Sequence, residues 1–281
     1  MTNGNAQLTD RVAVVTGGGS GIGRAIALAL ASAGADVVVA DIKTVLCEEA
    51  VERITQLGRT CLGVQTDVMN TDQVRAMVEQ AEQKFGRIDI LVNNAGGVSH
   101  RPFLQQSERS WRKHIDLNLV SMLAATSCVA PIMIKNSRGG AIINVASIEA
   151  SRAAPGFAVY AACKAAMLNF TRTMAVELAA DRIRVNAIAP DYTVTPGILG
   201  LDPLGFNESE VQITPQRADA IRRRIPLQRG GADSECGDLA VFLASDNSAY
   251  ITGATIPIDG GTWAAGGWVR TMAGPWGLMS D

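Results

Sequence analysis

The chain lacks an excess of either charge: 25 Lys and Arg stand against 27 Asp and Glu in 281 residues. A formal net charge of −2 gives no electrostatic reason to expect nucleic acid, and the basic run Arg222-Arg223-Arg224 is isolated. It reads as a solvated helix face. Aromatic residues make up only 5%, and the two histidines, His100 and His114, stand apart from any cysteine or carboxylate cluster. A metal site or a Ser-His-Asp hydrolase is therefore poorly supplied, and no metal is expected. The five cysteines, Cys47, Cys61, Cys128, Cys163 and Cys236, are an odd, scattered set without a CxxC pair. They suit neither a disulfide framework nor a zinc site and fit a reduced, cytoplasmic setting. No uninterrupted apolar stretch approaches the roughly 20 residues a bilayer span needs. Residues 1–10 are polar and show no basic start followed by an apolar run, so neither a secretion signal nor a membrane anchor is expected.

What is present is enough apolar material for a large core, 47% of residues against 19% charged. Short β-branched runs alternate with Ala-rich stretches of helical period. The strand candidates are 12–15, 37–40, 62–65, 88–92, 141–145 and 183–189; helices are expected over 21–33, 44–57, 71–85, 107–135 and 157–180. A last helix at 233–244 precedes a strand at 255–258. Because the strands are apolar throughout rather than alternating, both faces should be covered, which predicts a mostly parallel sheet between helix layers. No linker divides residues 1–281, so a single doubly wound α/β domain of Rossmann type is expected. Two regions break the rhythm. Residues 190–226 carry five prolines, too punctuated for a simple connector, and read as a substrate loop or lid. Residues 262–281 form a Gly/Ala tail with Trp263, Trp268 and Trp276, which should pack on its own subunit or a neighbour.

After the first strand comes Thr16-Gly17-Gly18-Gly19-Ser20-Gly21-Ile22-Gly23, then the helical Arg24 to Leu30. A strand, a glycine turn and a helix make a phosphate cradle: the missing side chains let the backbone approach a pyrophosphate, and the helix start supplies free N–H groups. Asp41 ends the second strand, where a carboxylate can accept hydrogen bonds from both adenosine ribose hydroxyls. It selects NAD, since a 2′-phosphate would meet like charge and Gly17 to Gly23 hold no Arg or Lys. Tyr160 and Lys164, four residues apart, project from one helix face. Taken alone, such a pair is an ordinary surface neighbourhood, and Ser147 or Asn118 alone an ordinary polar group.

Together these motifs resemble the short-chain dehydrogenase/reductase family from Arg11 to Gly261: the TGxxxGxG turn, Asp67-Val68, Asn93-Asn94-Ala95-Gly96, Asn118, Ser147, Tyr160 and Lys164. The resemblance implies that Ser20, Ile22, Asp67, Val68, Asn94, Ala95 and Gly96 line the adenine and ribose side. Thr193 and Thr195, beyond Pro190, would hold the nicotinamide carboxamide. The family usually has Pro-Gly where this chain has Pro190-Asp191. By the same resemblance Tyr160 is the acid/base, Ser147 holds the substrate oxygen, Lys164 lowers the phenol's pKa and binds the ribose, and Asn118 supports a water. Glu149 falls near the substrate mouth, where a carboxylate would disfavour anions, so a neutral sterol, sugar, terpenoid or similar small molecule is expected. The rivals are a 3-oxoacyl reductase of fatty-acid type and a non-catalytic NAD-binding scaffold or sensor. Family likeness also suggests a homotetramer.

Overall fold

The computed structural model describes residues 8–204, 206, 211–272 and 274–278; the first seven residues of the polar N-terminus and parts of 190–226 and 262–281 lie outside them. The elements run β1 (Val12–Thr16), α1 (Gly21–Ser32), β2 (Asp36–Asp41), α2 (Thr44–Gln56), β3 (Cys61–Gln65), α3 (Thr71–Phe85), β4 (Ile90–Asn93), α4 (Glu108–Ile115), α5 (Ser121–Asn136), β5 (Gly140–Val145) and α6 (Ala158–Glu177). They continue through β6 (Ile183–Pro190), β7 (Thr193–Val194), α7 (Pro196–Leu199), α8 (Pro215–Arg224), β8 (Gly231–Ala232), α9 (Asp233–Ala244), β9 (Thr255–Ile258), α10 (Thr262–Ala265), β10 (Val269–Arg270) and β11 (Trp276–Gly277). Seven strands form one parallel sheet in the order β3-β2-β1-β4-β5-β6-β9.

Alternation along each strand divides the core between two helix layers. Ala13, Val15, Val37, Val39 and Val92 pack with Ile26 and Leu30 of α1, Ile54 of α2 and Leu243 of α9. Val14, Val38, Leu91 and Ile142 turn the other way onto Met77 of α3, Val129 and Met133 of α5 and Ala175 of α6. Each strand is thus apolar on both faces, as the continuous runs predict. Helix ends are set locally: Asn70 caps α3 by accepting from the N–H groups of Asp72 and Gln73, and Gly86 ends it at φ 71°. The fold is a single Rossmann-type doubly wound domain. The order of strands reverses between β1 and β4, which opens a crevice at the carboxyl ends of those strands.

The predicted helix over 107–135 is not one regular helix. A π-helical turn at Asp116–Val120 separates α4 from α5. The path Glu108–Asn136 is long and apolar enough to cross a membrane, but half of its most apolar window is buried within the protein. The irregular 190–226 region contains α8 among its described residues, of which the sequence showed only the helix face at Arg222 to Arg224. The tail forms a hairpin, β10 antiparallel to β11, in which the Arg270 guanidinium lies 4.7 Å from the centre of the Trp276 ring. Its three tryptophans remain 40–51% exposed.

Candidate active site

At the crevice lies a cleft of about 590 Å³, lined at one end by the glycine turn and at the other by Ser147, Tyr160 and Lys164. The glycines are required by close approach. Gly17 and Gly21 have φ of 61° and 51°. A Cβ on Gly23 would lie 2.1 Å from the Gly17 carbonyl oxygen, and one on Gly19 would lie 2.6 Å from Leu46 Cβ. The first turn of α1 carries no acidic side chain, and the Ser20 hydroxyl makes no capping bond, so neither occupies the N–H groups at that helix start. This bare, positively polarised turn fits a pyrophosphate.

Asp41 ends β2 with a side chain that reaches back to the turn: Oδ2 accepts from the Gly19 N–H at 3.1 Å and Oδ1 from the Lys43 N–H at 3.2 Å. It is 8% exposed and lines the cleft with Asp67 and Val68. Arg24, the nearest cation along α1, is buried and donates to Glu49 at 3.1 Å and to the Pro203 carbonyl at 3.4 Å. The Asn94 side chain donates to the Thr16 and Gly17 carbonyls at 3.0 and 3.1 Å, fixing the turn to the end of β4. Ala95, Gly96, Pro190, Thr193 and Thr195 complete the lining, with Ser20 and Ile22 at the turn. Thr195 also caps α7, accepting from the Ile198 N–H at 3.3 Å.

At the other end, α6 presents Tyr160 and Lys164 about one turn apart. Lys164 is 3% exposed and its Nζ donates to the Val145 carbonyl at 2.7 Å, while lying 5.8 Å from the centre of the Tyr160 ring. Burial lowers the Lys164 ammonium from 10.5 to about 8. Burial also raises the Tyr160 phenol; a hydrogen bond with Ser147 opposes that rise and the Glu149 charge adds to it. Burial sets the direction of that shift. Ser147 caps the 3₁₀ turn Ile148–Ala150, accepting from the Glu149 N–H at 3.2 Å. Asn118 sits in the π turn, fully buried; its Nδ2 donates to the Gly97 and His114 carbonyls at 3.0 Å each and its Oδ1 accepts from the Gly97 N–H at 3.1 Å.

Glu149 is half of an ion pair, accepting from Arg152 at 2.7 and 3.2 Å. His100 meets Phe157 edge to face, ring centres 5.1 Å apart, instead of joining that pair. Two supports escaped the sequence reading. Thr16 Oγ1 accepts from the Asn94 and Ala95 N–H groups, both at 3.1 Å, and donates to the Val92 carbonyl. Beneath the site, Asn93 donates to Thr126 at 3.1 Å and to Asn144 at 2.8 Å, and Asn144 donates to Thr171 at 2.8 Å, tying β4 and β5 to α5 and α6. An asparagine inside an apolar strand was the available signal. Among the described residues no group of His, Cys, Asp and Glu could hold a metal ion.

A parallel sheet with a phosphate-fitting turn at its switch point, facing Ser147, Tyr160 and Lys164 across one cleft, defines a dinucleotide-cleft oxidoreductase. The family profile described as enoyl-(acyl carrier protein) reductase matches residues 17–262. The chain is 38% identical over 256 residues to a 3-oxoacyl-[acyl-carrier-protein] reductase of Thermotoga maritima, covering 91% of this chain and 98% of the relative. It is 39% identical to a 2-dehydro-3-deoxy-D-gluconate 5-dehydrogenase of Escherichia coli over 258 residues, 92% of this chain and 97% of the relative. Among solved structures, a 7α-hydroxysteroid dehydrogenase complexed with NADH and 7-oxo glycochenodeoxycholic acid superposes with a TM-score of 0.84 at 33% identity, covering 93% of this chain and 97% of that one. The chain belongs to the short-chain dehydrogenase/reductase family.

Proposed function

We propose that the protein interconverts a secondary alcohol and a ketone on a neutral small molecule, with NAD as hydride carrier. The observation that carries this reading is the presence of Asn118, Ser147, Tyr160 and Lys164 in the same cleft as the Gly17 to Gly23 turn and Asp41. NAD, when bound, accepts or returns the hydride. Gly17, Ser20, Gly21, Ile22 and Gly23 would hold its pyrophosphate side; Asp41 its adenosine ribose; Asp67, Val68, Asn94, Ala95 and Gly96 its adenine and ribose side. Pro190, Thr193 and Thr195 would hold the nicotinamide end.

In oxidation Tyr160 takes the carbinol proton on its phenolic oxygen, and in reduction it gives that proton to the carbonyl oxygen. Ser147 donates a hydrogen bond to the same oxygen, where charge develops. With Lys164 at about 8, its ammonium is mostly charged at neutral pH; it would favour the phenolate against the burial that raises the phenol, and would also hold the nicotinamide ribose. Asn118 supports a water that relays the proton outward. No metal has a role. Selectivity for a neutral substrate is supported by the paired Glu149 and Arg152, which leave neither sign of charge unmatched at the mouth. A 3-oxoacyl reductase is the second reading, favoured by the Thermotoga relative; Asp41, set against a 2′-phosphate, weighs against the usual NADPH donor.

Residues 190–226 are proposed as the substrate segment and 262–281 as an extension of the one domain. We further propose a homotetramer, supported by an apolar groove between the α4 to π-turn path and α6, lined by Phe103, Ile115, Leu119 and Val159. A cytoplasmic location is supported by five cysteines that are all free. A screen of sterols, sugars and terpenoid alcohols for NADH formation tests the reading. At least one secondary alcohol should give NADH and little NADPH; NAD binding without turnover on any class would favour a scaffold.

A further inference from the structure

The basic run Arg222 to Arg224 does not form one solvated face. Arg222 pairs within its helix with Asp219 at 2.9 Å. Arg224, its side chain 58% exposed, reaches across to Asp191, its Nη2 3.6 Å from Oδ1. Arg223 turns to the C-terminal hairpin, where Nε donates to the Arg270 carbonyl at 3.2 Å and Nη1 lies 3.7 Å from Met272 Sδ. One face of α8 has a second contact on the same segment. Arg217 precedes Arg224 by two helical turns, so the two lie within about 20° around the axis. The Arg217 guanidinium stacks 5.3 Å from the centre of the Tyr192 ring. Both ends of α8 therefore grip consecutive residues, Asp191 and Tyr192, which lie between Pro190 and Thr193 of the cleft lining.

Asp191 is placed to be gripped. Its side chain is 9% exposed and lies 3.7 Å from Arg152, whose guanidinium holds Glu149 beside Ser147. Among the described residues, its Oδ2 is buried without a hydrogen bond, so the two arginines are its main compensation. We propose that α8 is a strap: Arg217 and Arg224 hold the 190–195 loop against the cleft, and Arg223 anchors the strap to a hairpin beyond residue 262, where the family profile ends. Arg217, Arg223 and Arg224 are positioning residues that act through the loop, and Asp191 is the charged anchor that replaces a flexible glycine. The inference rests on the reading that this loop meets the nicotinamide end of NAD.

Two arms test it. In titrations of the full chain, Arg217→Met and Arg224→Met each weaken NAD binding about three- to fivefold. ADP-ribose, which lacks nicotinamide, keeps its affinity within about a factor of two in both, and Arg224→Lys binds NAD like the wild type. In hydrogen exchange of the cofactor-free protein, amides across 215–225 exchange about three- to fivefold faster in Asp191→Asn, Arg223→Met and Arg224→Met. The Asp191→Asn/Arg224→Met double variant is no faster than either single one. Equal loss of NAD and ADP-ribose, unchanged NAD binding, or unaltered exchange in α8 would overturn the strap. The exchange arm uses no cofactor, so it separates failure of the strap from failure of the NAD reading.

Discussion

At the scale of residues, the proposed reading gives Asp41 the choice of cofactor, and Lys164 carries a pH signature. With both carboxylate oxygens held by backbone N–H groups, Asp41 cannot swing away from a 2′-phosphate. Asp41→Ser should weaken NAD binding about tenfold and narrow discrimination against NADP, read by titration of both dinucleotides; an unchanged ratio would contradict this. Lys164 has its folded value of about 8 below the ordinary 10.5. Between those values the unfolded chain holds a proton that the folded chain has released, so stability rises with pH across that window, by up to about 3 kcal/mol. Urea unfolding near both ends of the window should show this gain in the wild type and not in Lys164→Met; parallel pH dependence in the two would rule it out. Tyr160, Lys164 and Asp41 were legible in the sequence because local spacing places them. Thr16 and Asn144 were not, because their partners lie 76 and 27 residues away or more and only the folded sheet brings them together.

At the scale of elements, the strand-turn-helix unit β1-turn-α1 has no room to change. Gly23→Ala would push a Cβ into the Gly17 carbonyl and the Asn94 amide, at 2.1 and 2.3 Å. The variant should lose about 1–3 kcal/mol in denaturant unfolding together with most NAD binding. Unchanged stability would mean that the turn is looser than described. The strands and crossover helices were readable because continuous β-branched runs and 3.6-residue periods are local signals. The π turn at 116–120 was not: Asn118 bonds the His114 carbonyl through its side chain and is held by both backbone groups of Gly97, 21 residues earlier. Helix α8 was legible only as the Arg222 to Arg224 face, because none of its residues is buried; its contacts are an ion pair with Asp191 and a hydrogen bond to the tail.

At the scale of the whole molecule, apolar side chains remain on the outer faces of α4, α5 and α6, including Ile115, Leu123 and Val176 at 39%, 37% and 78% exposed. A homotetramer would cover such surface, and light scattering should give four times the chain mass; a monomer mass at micromolar concentration would contradict it. The central claim is proton transfer by Tyr160 coupled to hydride transfer with NAD. Tyr160→Phe keeps the ring and its packing and removes only the phenolic oxygen. The most direct measurement is its turnover on whichever alcohol the wild type oxidises, beside NAD affinity measured on the same sample. The account predicts turnover reduced by about 10³-fold or more with NAD affinity within about threefold of wild type. Turnover retained within a few fold would contradict it.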